Sequence, residues 1–220
     1  MKGKLIAFEG PDASGKTTQV GILKDRLEKE GKQVAVFKFP TYEKTYYGRL
    51  LRRYLNGEFG NVDEVNPYLA GILYALDRLE MRDEIINELD KGKIVLLDRY
   101  VASNKAHMGA KIMNKKKRDE FIKWVDELDF GKNKMPKENL TIFLEVPVEN
   151  TIELMKRMDK KKDIHEINSG YMKDVWQVYS ELAKKEKWAR IKCVDNGKML
   201  SRERINEEIY REVKRILKAK

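Results

Sequence analysis

"FEGPDASGKTTQ" runs from Phe8 to Gln19. Most of it is polar or conformationally loose, yet it follows directly on the apolar run Leu5–Phe8, which reads as a buried strand. Gly10, Gly15, Lys16 and Thr17 satisfy G-x-x-x-x-G-K-[ST]. The flanks agree with the motif. An apolar strand precedes it, and Val20, Leu23 and Leu27 on one face of a helix follow, with Gly31 as the stop. Glycines let backbone N–H groups converge on phosphate oxygens, and the helix that follows adds the positive end of its dipole. Lys16 is expected to reach the β- and γ-phosphates and the Thr17 hydroxyl to ligate Mg²⁺. Gly10, Pro11, Asp12, Ala13, Ser14, Gly15, Lys16, Thr17 and Thr18 together are expected to cradle ATP or another nucleoside triphosphate. A plain glycine turn before a helix is the competing reading, and motif and flanks jointly outweigh it.

Five short apolar runs read as strands: Lys4–Glu9, Val34–Phe39, Ile94–Leu97, Leu140–Glu145 and Arg190–Val194. They are near-continuous in apolar character, as in a parallel sheet covered on both faces. Helical stripes lie between them, at Leu69, Leu73, Leu76 and Leu79, at Met172, Val175, Tyr179 and Leu182, and at Ile205, Ile209, Val213 and Ile216. The alternation implies one α/β domain over residues 1–220. Two stretches resist the pattern, Pro40–Gly60 and the charge-dense Arg157–Ser169, and both are expected as loops at the ligand end of the sheet.

The 220 residues suffice for a sizeable core. A formal net charge of +10 suits an anionic partner such as nucleotide, nucleic acid or phosphate, but a solvated, lysine-rich surface is the simpler reading, and acids interleave with the bases, as in "KDRLEKEGK", which argues against a nucleic-acid groove. No apolar stretch approaches the length of a membrane span, and Met-Lys-Gly-Lys leads into a strand without a signal-peptide pattern. The lone Cys193, in an apolar run, reads as a buried structural thiol and suits a cytoplasmic protein.

A second ligand is suggested by residues that a triphosphate does not need. Asp12 is an acid inside a phosphate-binding loop, sensible if it accepts from a sugar hydroxyl on a neighbouring ligand, and otherwise a turn-stabilising Asp. "LLDRYVAS" puts Asp98 and Arg99 at the end of the third strand, where the acid suits a metal's water shell and the guanidinium clamps phosphate. Tyr74 and Arg78 are spaced i,i+4, so a ring able to stack a base stands one turn from a group able to bond its edge.

In combination these features resemble the thymidylate kinase family. The resemblance runs through "FEGPDASGKTTQ", "FKFPTYEKTYYGRLLRRYLNGEFG", "LYALDR", "DRYVASNKAHMGAK", "LTIFLEVP" and "KKDIHE". It implies a P-loop kinase fold, a five-stranded parallel sheet with helices on both faces and a short lid at about 157–169. It implies transfer of a phosphoryl group from ATP to dTMP with Mg²⁺ held by Thr17 and Asp98, and a homodimer. By the same resemblance Asp12, Phe39, Tyr74, Arg78, Arg99, Ser103 and Arg49 bind dTMP: Asp12 at the 3′-hydroxyl, Tyr74 stacked on thymine, Arg78 at a thymine carbonyl, Ser103 at the base edge and Arg99 on phosphate. Lys16, Arg99, Asp12, Arg157 and Lys161 would act on the transferring group. A cis Phe39–Pro40 bond is expected, partly by resemblance and partly because only X-Pro tolerates cis cheaply.

There are departures. Ala13 stands where many members have Arg, and the lid "RMDKKKDIHE" offers Arg157 and Lys160, Lys161 and Lys162 instead. The family's Arg soon after Phe-Pro is absent, leaving Tyr42 and Lys44 with Arg49 and Arg52 further on, and Met108 replaces a common Gln. A phosphate acceptor needs no strong base, so neither His107 nor His165 is expected to be catalytic, while Glu9, Asp163 and Glu166 are candidates to assist the metal shell or lid. A kinase for another nucleotide or deoxynucleoside, and a DNA-dependent ATPase, stay open as alternatives. A switch GTPase does not, because Asn133-Lys134 is followed by Met135-Pro136, not the base-reading Asp.

Overall fold

The computed structural model describes residues 3–61, 64–157 and 169–218. Its sheet has the strand order β2-β3-β1-β4-β5, from β1 (Lys4–Glu9), β2 (Val34–Lys38), β3 (Ile94–Asp98), β4 (Leu140–Glu145) and β5 (Ala189–Lys192), with every neighbouring pair parallel. β1 pairs with β3 from Lys4 against Ile94 to Phe8 against Asp98, so the ends of both strands release their loops side by side. The fifth strand stops at Lys192 instead of running to Val194. Cys193 intervenes, wholly buried as expected, and Val194 belongs to a small antiparallel hairpin of β6 (Val194–Asp195) and β7 (Lys198–Met199).

The helices are α1 (Lys16–Lys29), α2 (Tyr46–Leu55), α3 (Pro67–Glu80), α4 (Arg82–Asp90), α5 (Val101–Ala110), α6 (Lys115–Asp126), α7 (Val148–Arg157), α8 (Ser169–Lys185) and α9 (Arg202–Lys218), with a π-helical turn at Glu127–Lys132 running on from α6. Alternating residues of the central strands face opposite layers. Ile6, Phe8, Leu96 and Leu144 pack with Val20, Leu23 and Leu27 of α1 and Ile205, Ile209 and Val213 of α9. Leu5, Ala7, Val95 and Leu97 face the other way, onto Leu51, Ala70, Val101 and Phe121. Phe143 extends that second layer to Val175, Tyr179 and Leu182 of α8. Both faces are covered, which is why these strands read as unbroken apolar runs.

Two expectations change. Pro40–Gly60 is not a plain loop, because it contains α2. Thr45 caps that helix, its Oγ1 accepting from Gly48 N at 2.7 Å, and such a cap contributes about 1 kcal/mol. Thr45 and Thr41 both donate to the buried Asp77 Oδ1, at 2.5 Å and 2.6 Å, so the helix start is moored to α3. The second change concerns α3 itself. Its leucine stripe is not the buried face: Leu69 is 63% exposed and Leu73, Leu76 and Leu79 are half-buried, while Ala70, Gly71, Ala75, Asp77 and Arg78 turn inward. The small residues admit neighbours closely, since a Cβ on Gly71 would sit 3.3 Å from the Trp124 ring of α6.

Candidate active site

The carboxyl end of β1 opens into the phosphate loop. Gly10 takes φ of 147°, and a Cβ there would lie 2.9 Å from Leu144 O, so only glycine follows the strand at this point. Ala13 and Gly15 also have positive φ, 57° and 91°, and Gly15 is the residue from which α1 begins. Lys16 is buried, and its Nζ donates to Gly10 O at 2.9 Å, Pro11 O at 2.7 Å and Ser14 Oγ at 3.3 Å. Burial and then the positive charge of Arg99 lower its pKa to about 7, against the opposing pull of Asp12, Asp98 and Glu9. Thr18, one residue into the first turn of α1 from Thr17, is exposed.

Thr17 Oγ1 donates to Asp98 Oδ2 at 2.5 Å, joining the start of α1 to the end of β3, and Lys38 Nζ stands 3.7 Å from the same carboxylate oxygen. Arg99 follows in the left-handed region, φ 71°, uncommon for a non-glycine residue. Its Nη2 donates to Asp12 Oδ1, and its Nη1 reaches Gly10 O (3.2 Å), Ser103 Oγ (3.1 Å) and Tyr179 OH (3.2 Å). Burial works against the guanidinium charge, but Asp12, Tyr179 and Glu9 outweigh it and hold its pKa well above the usual value. Glu9 is not positioned as a metal-shell or lid residue. It is wholly buried, and its carboxylate accepts from Tyr100 N at 2.8 Å, Ser103 Oγ at 2.6 Å and Tyr179 OH at 3.2 Å. Burial raises its pKa, while Ser103 and Arg99 oppose the rise.

Next to the phosphate loop is a cavity lined by Asp12, Phe39, Pro40, Tyr42, Leu55, Tyr74, Arg78, Arg99, Tyr100, Ser103, Asn104 and His107. The Phe39–Pro40 bond on its wall is cis. Arg78 is 1% exposed, and its Nε and Nη2 donate to Asp129 Oδ1 and Oδ2 at 2.8 Å each. Burial depresses the Arg78 pKa and the Asp129 charge and hydrogen bonds more than restore it, leaving it raised. Removing one partner of such a buried pair typically costs about 3–5 kcal/mol.

The expected residues are therefore distributed unevenly. Asp12, Phe39, Tyr74, Arg78, Arg99 and Ser103 come together around one cavity, although Ser103 Oγ is already engaged by Glu9 and Tyr179 OH. Arg49 does not join them: it is exposed on α2, with Nη1 donating to Glu43 O at 3.2 Å. Arg157 closes α7, and Lys160, Lys161 and Lys162, with Asp163, His165 and Glu166, lie outside the described residues. Sequence reasoning missed Asn104, whose Nδ2 donates to Gly71 O at 3.1 Å while its buried Oδ1 has no partner among the described residues. The signal was present. Tyr100, Ser103, Asn104 and His107 recur at i, i+3, i+4 and i+7, one helix face, and all four line the cavity.

Residues 8–205 match the family model described as thymidylate kinase. A relative from Pyrococcus abyssi, described as a probable thymidylate kinase, is 30% identical over 216 residues, covering 97% of each chain. The thymidylate kinase of Kosmotoga olearia is 31% identical over 94% of this chain and 93% of its own. A solved structure of thymidylate kinase from Candida albicans superposes with a TM-score of 0.75 at 25% identity, over 97% of this chain and 92% of that one.

The depressed pKa of Lys16 has a measurable consequence. At about pH 8 a group with a pKa near 7 is mostly neutral, and triphosphate oxygens placed against it raise that pKa, so binding takes up protons. Calorimetric titration of ATP in two buffers of different ionisation enthalpy should show uptake at about pH 8 that fades below about pH 6, where Lys16 is already charged. Lys16→Met should abolish it. Proton release, or equal uptake in the variant, contradicts the assignment.

Proposed function

Because the chain belongs to the thymidylate kinase family, we propose that it transfers the γ-phosphoryl group of ATP to dTMP, giving dTDP. The observation that carries this reading is the join between the two halves of the site. Asp12 of the phosphate loop is paired with Arg99, and both line the cavity that also holds Tyr74 and Arg78. A triphosphate on the loop thus ends where a monophosphate in the cavity begins. Tyr74 and Phe39 flank the base, Arg78 and Ser103 meet its edge, Asp12 accepts from the sugar, and Arg99 holds the phosphate between the two nucleotides. An oxygen of the dTMP phosphate attacks the γ-phosphorus, the bond to the β-phosphate oxygen breaks, and no strong base is needed because the acceptor is already ionised.

Thr17 and Asp98 suit Mg²⁺. Their oxygens lie 2.5 Å apart at the loop, and two protein oxygens are in keeping with an ion held largely by phosphates and water. Thr17 and Asp98 would hold the ion, which would there supply charge neutralisation on the phosphate oxygens. No helix among the described residues is long and apolar enough to cross a membrane, and the buried lone thiol of Cys193 supports a cytoplasmic setting. A homodimer is supported by the outer face of α3, where Leu69, Ile72 and Tyr68 are exposed together. Arg49 has no role in this reading.

Three experiments test it. A coupled assay with ATP and dTMP, dUMP, UMP, CMP, AMP, GMP or thymidine should give the highest kcat/KM with dTMP, and Tyr74→Ala should weaken dTMP about ten- to a hundredfold while leaving ATP near its original KM. A different preferred acceptor, or equal losses for both nucleotides, overturns the assignment. Because Ala13 brings no cation to the loop, the segment Arg157–Lys162 is proposed to supply one: neutralising Lys160, Lys161 and Lys162 together, or Arg157, should lower kcat by up to about 10³ with little change in dTMP KM. Unchanged kcat in both variants would leave Arg99 as the cation responsible. Light scattering should report a dimer that Leu69→Glu with Ile72→Glu converts to monomer, and a monomeric parent protein removes the dimer proposal.

A further inference from the structure

We propose that Asp129, carried on the π-helical turn Glu127–Lys132, is a positioning residue for acceptor-base recognition and acts through Arg78. This rests on the assignment of the cavity to dTMP.

The geometry gives Arg78 no freedom of its own. Its Nε and Nη2 are held by the two oxygens of one carboxylate at 2.8 Å each, and the two side chains are 2% and 0% exposed. That fork fixes the plane of the guanidinium as well as its position. Of the five N–H donors it takes two and leaves the opposite edge, at Nη1, outside the pair. Arg78 also lines the cavity, one helical turn from Tyr74. The group that meets a base carbonyl is thus held from behind, and its aim is set by where Asp129 sits.

Asp129 is held in place in turn. The π-helical turn is wider than an α-turn, closing through Asn133 N to Leu128 O at 2.9 Å, and such turns are frequent at functional sites. Asp129 O accepts from Met135 N at 3.0 Å. The turn is also fixed to the segment that carries Arg78, since Asn133 O accepts from Arg82 Nη1 at 3.0 Å and Asn133 Nδ2 approaches Ala75 O at 3.5 Å. Phe130 packs against Tyr100, whose hydroxyl donates to Pro136 O at 2.8 Å. Residues 129–136 are therefore braced against both α3 and the start of α5, two of the elements that line the cavity. A role confined to stability would not require a charge here, because buried ion pairs can often be replaced by apolar side chains of similar volume without loss.

The test separates positioning from folding. Asp129→Asn removes the counter-charge, and Asp129→Glu keeps it but displaces the carboxylate by one methylene. Both should raise dTMP KM by about 10–100-fold, as small misplacements of a binding group do, with ATP KM and kcat at saturating dTMP near the parent values. In an Arg78→Met background, Asp129→Asn should add nothing further to the loss of dTMP affinity, since there is no guanidinium left to aim. Asp129→Glu keeps the experiment decisive should Asp129→Asn fail to fold. Unchanged dTMP KM in Asp129→Glu, equal increases for ATP and dTMP, or a full additional loss in the Arg78→Met background would overturn the inference. The parent enzyme in the same assay keeps two failures apart. If it ignores dTMP, the assignment of the cavity is wrong. If it uses dTMP and the Asp129 variants behave as the parent does, only the positioning role is wrong.

Discussion

A single buried carboxylate ties the site together. Glu9 ends the central strand β1, has no exposed surface, and accepts hydrogen bonds from Tyr100 N, Ser103 Oγ and Tyr179 OH. Burial disfavours the charge on such a carboxyl, and the group is tolerable there only with several hydrogen-bond partners, helped by a nearby cation. It has them, because Ser103 Oγ and Tyr179 OH both lie within hydrogen-bond reach of Arg99. The start of α5, the middle of α8 and the Arg99 guanidinium are thus fixed relative to the strand that opens into the phosphate loop. Satisfying one buried carboxyl group brings together the residues that handle the substrate's charges.

The sheet was legible in the sequence because burial on both faces gives the central strands β1, β3 and β4 unbroken apolar runs, and although the edge strands β2 and β5 are only partly buried, all five runs are strands with ends displaced by at most two residues. The phosphate loop was legible for a different reason: its glycines, lysine and threonine are required by backbone geometry and chemistry at fixed spacing. The Thr17–Asp98 contact follows from both, since parallel pairing of β1 with β3 sets the two loop starts side by side.

Side chains whose surroundings come from distant segments were less legible. The leucines of α3 suggest a core-facing stripe, but the buried face carries Ala70, Gly71, Ala75, Asp77 and Arg78. Periodicity marks an apolar face without saying what covers it, and here the charges go inward because Thr41, Thr45 and Asp129 await them. Tyr74 and Arg78 were identified as a pair by spacing, yet nothing local to "LYALDR" reveals that Arg78 is gripped by a residue 51 positions away. Arg49 lies away from the cavity lining for the same reason. It belongs to a helix hidden in a stretch rich in Tyr, Arg and Gly, and the orientation of that helix is set by the mooring of Thr45 to Asp77.

The charges around the loop also determine what nucleotide binding involves. Lys16 spends its donors on two carbonyls and a hydroxyl, Arg99 is paired with Asp12, and Lys38 stands near Asp98. A polyanion arriving here finds two of these cations, Lys16 and Arg99, largely out of water, so binding exchanges partners more than it strips hydration. The exchange is unequal. The acceptors of Lys16 are neutral, so a phosphate oxygen is the stronger partner and draws a proton onto the amine. The acceptor of Arg99 is itself a carboxylate, so phosphate must share the guanidinium with Asp12. A planar group with five donors in a fixed fork has more donors to share between the two than the three of a lysine ammonium. The consequence is a cation at the junction of loop and cavity that is oriented before either nucleotide arrives, and electrostatic preorganisation of this kind supplies much of the catalysis in a reaction that asks for little covalent chemistry.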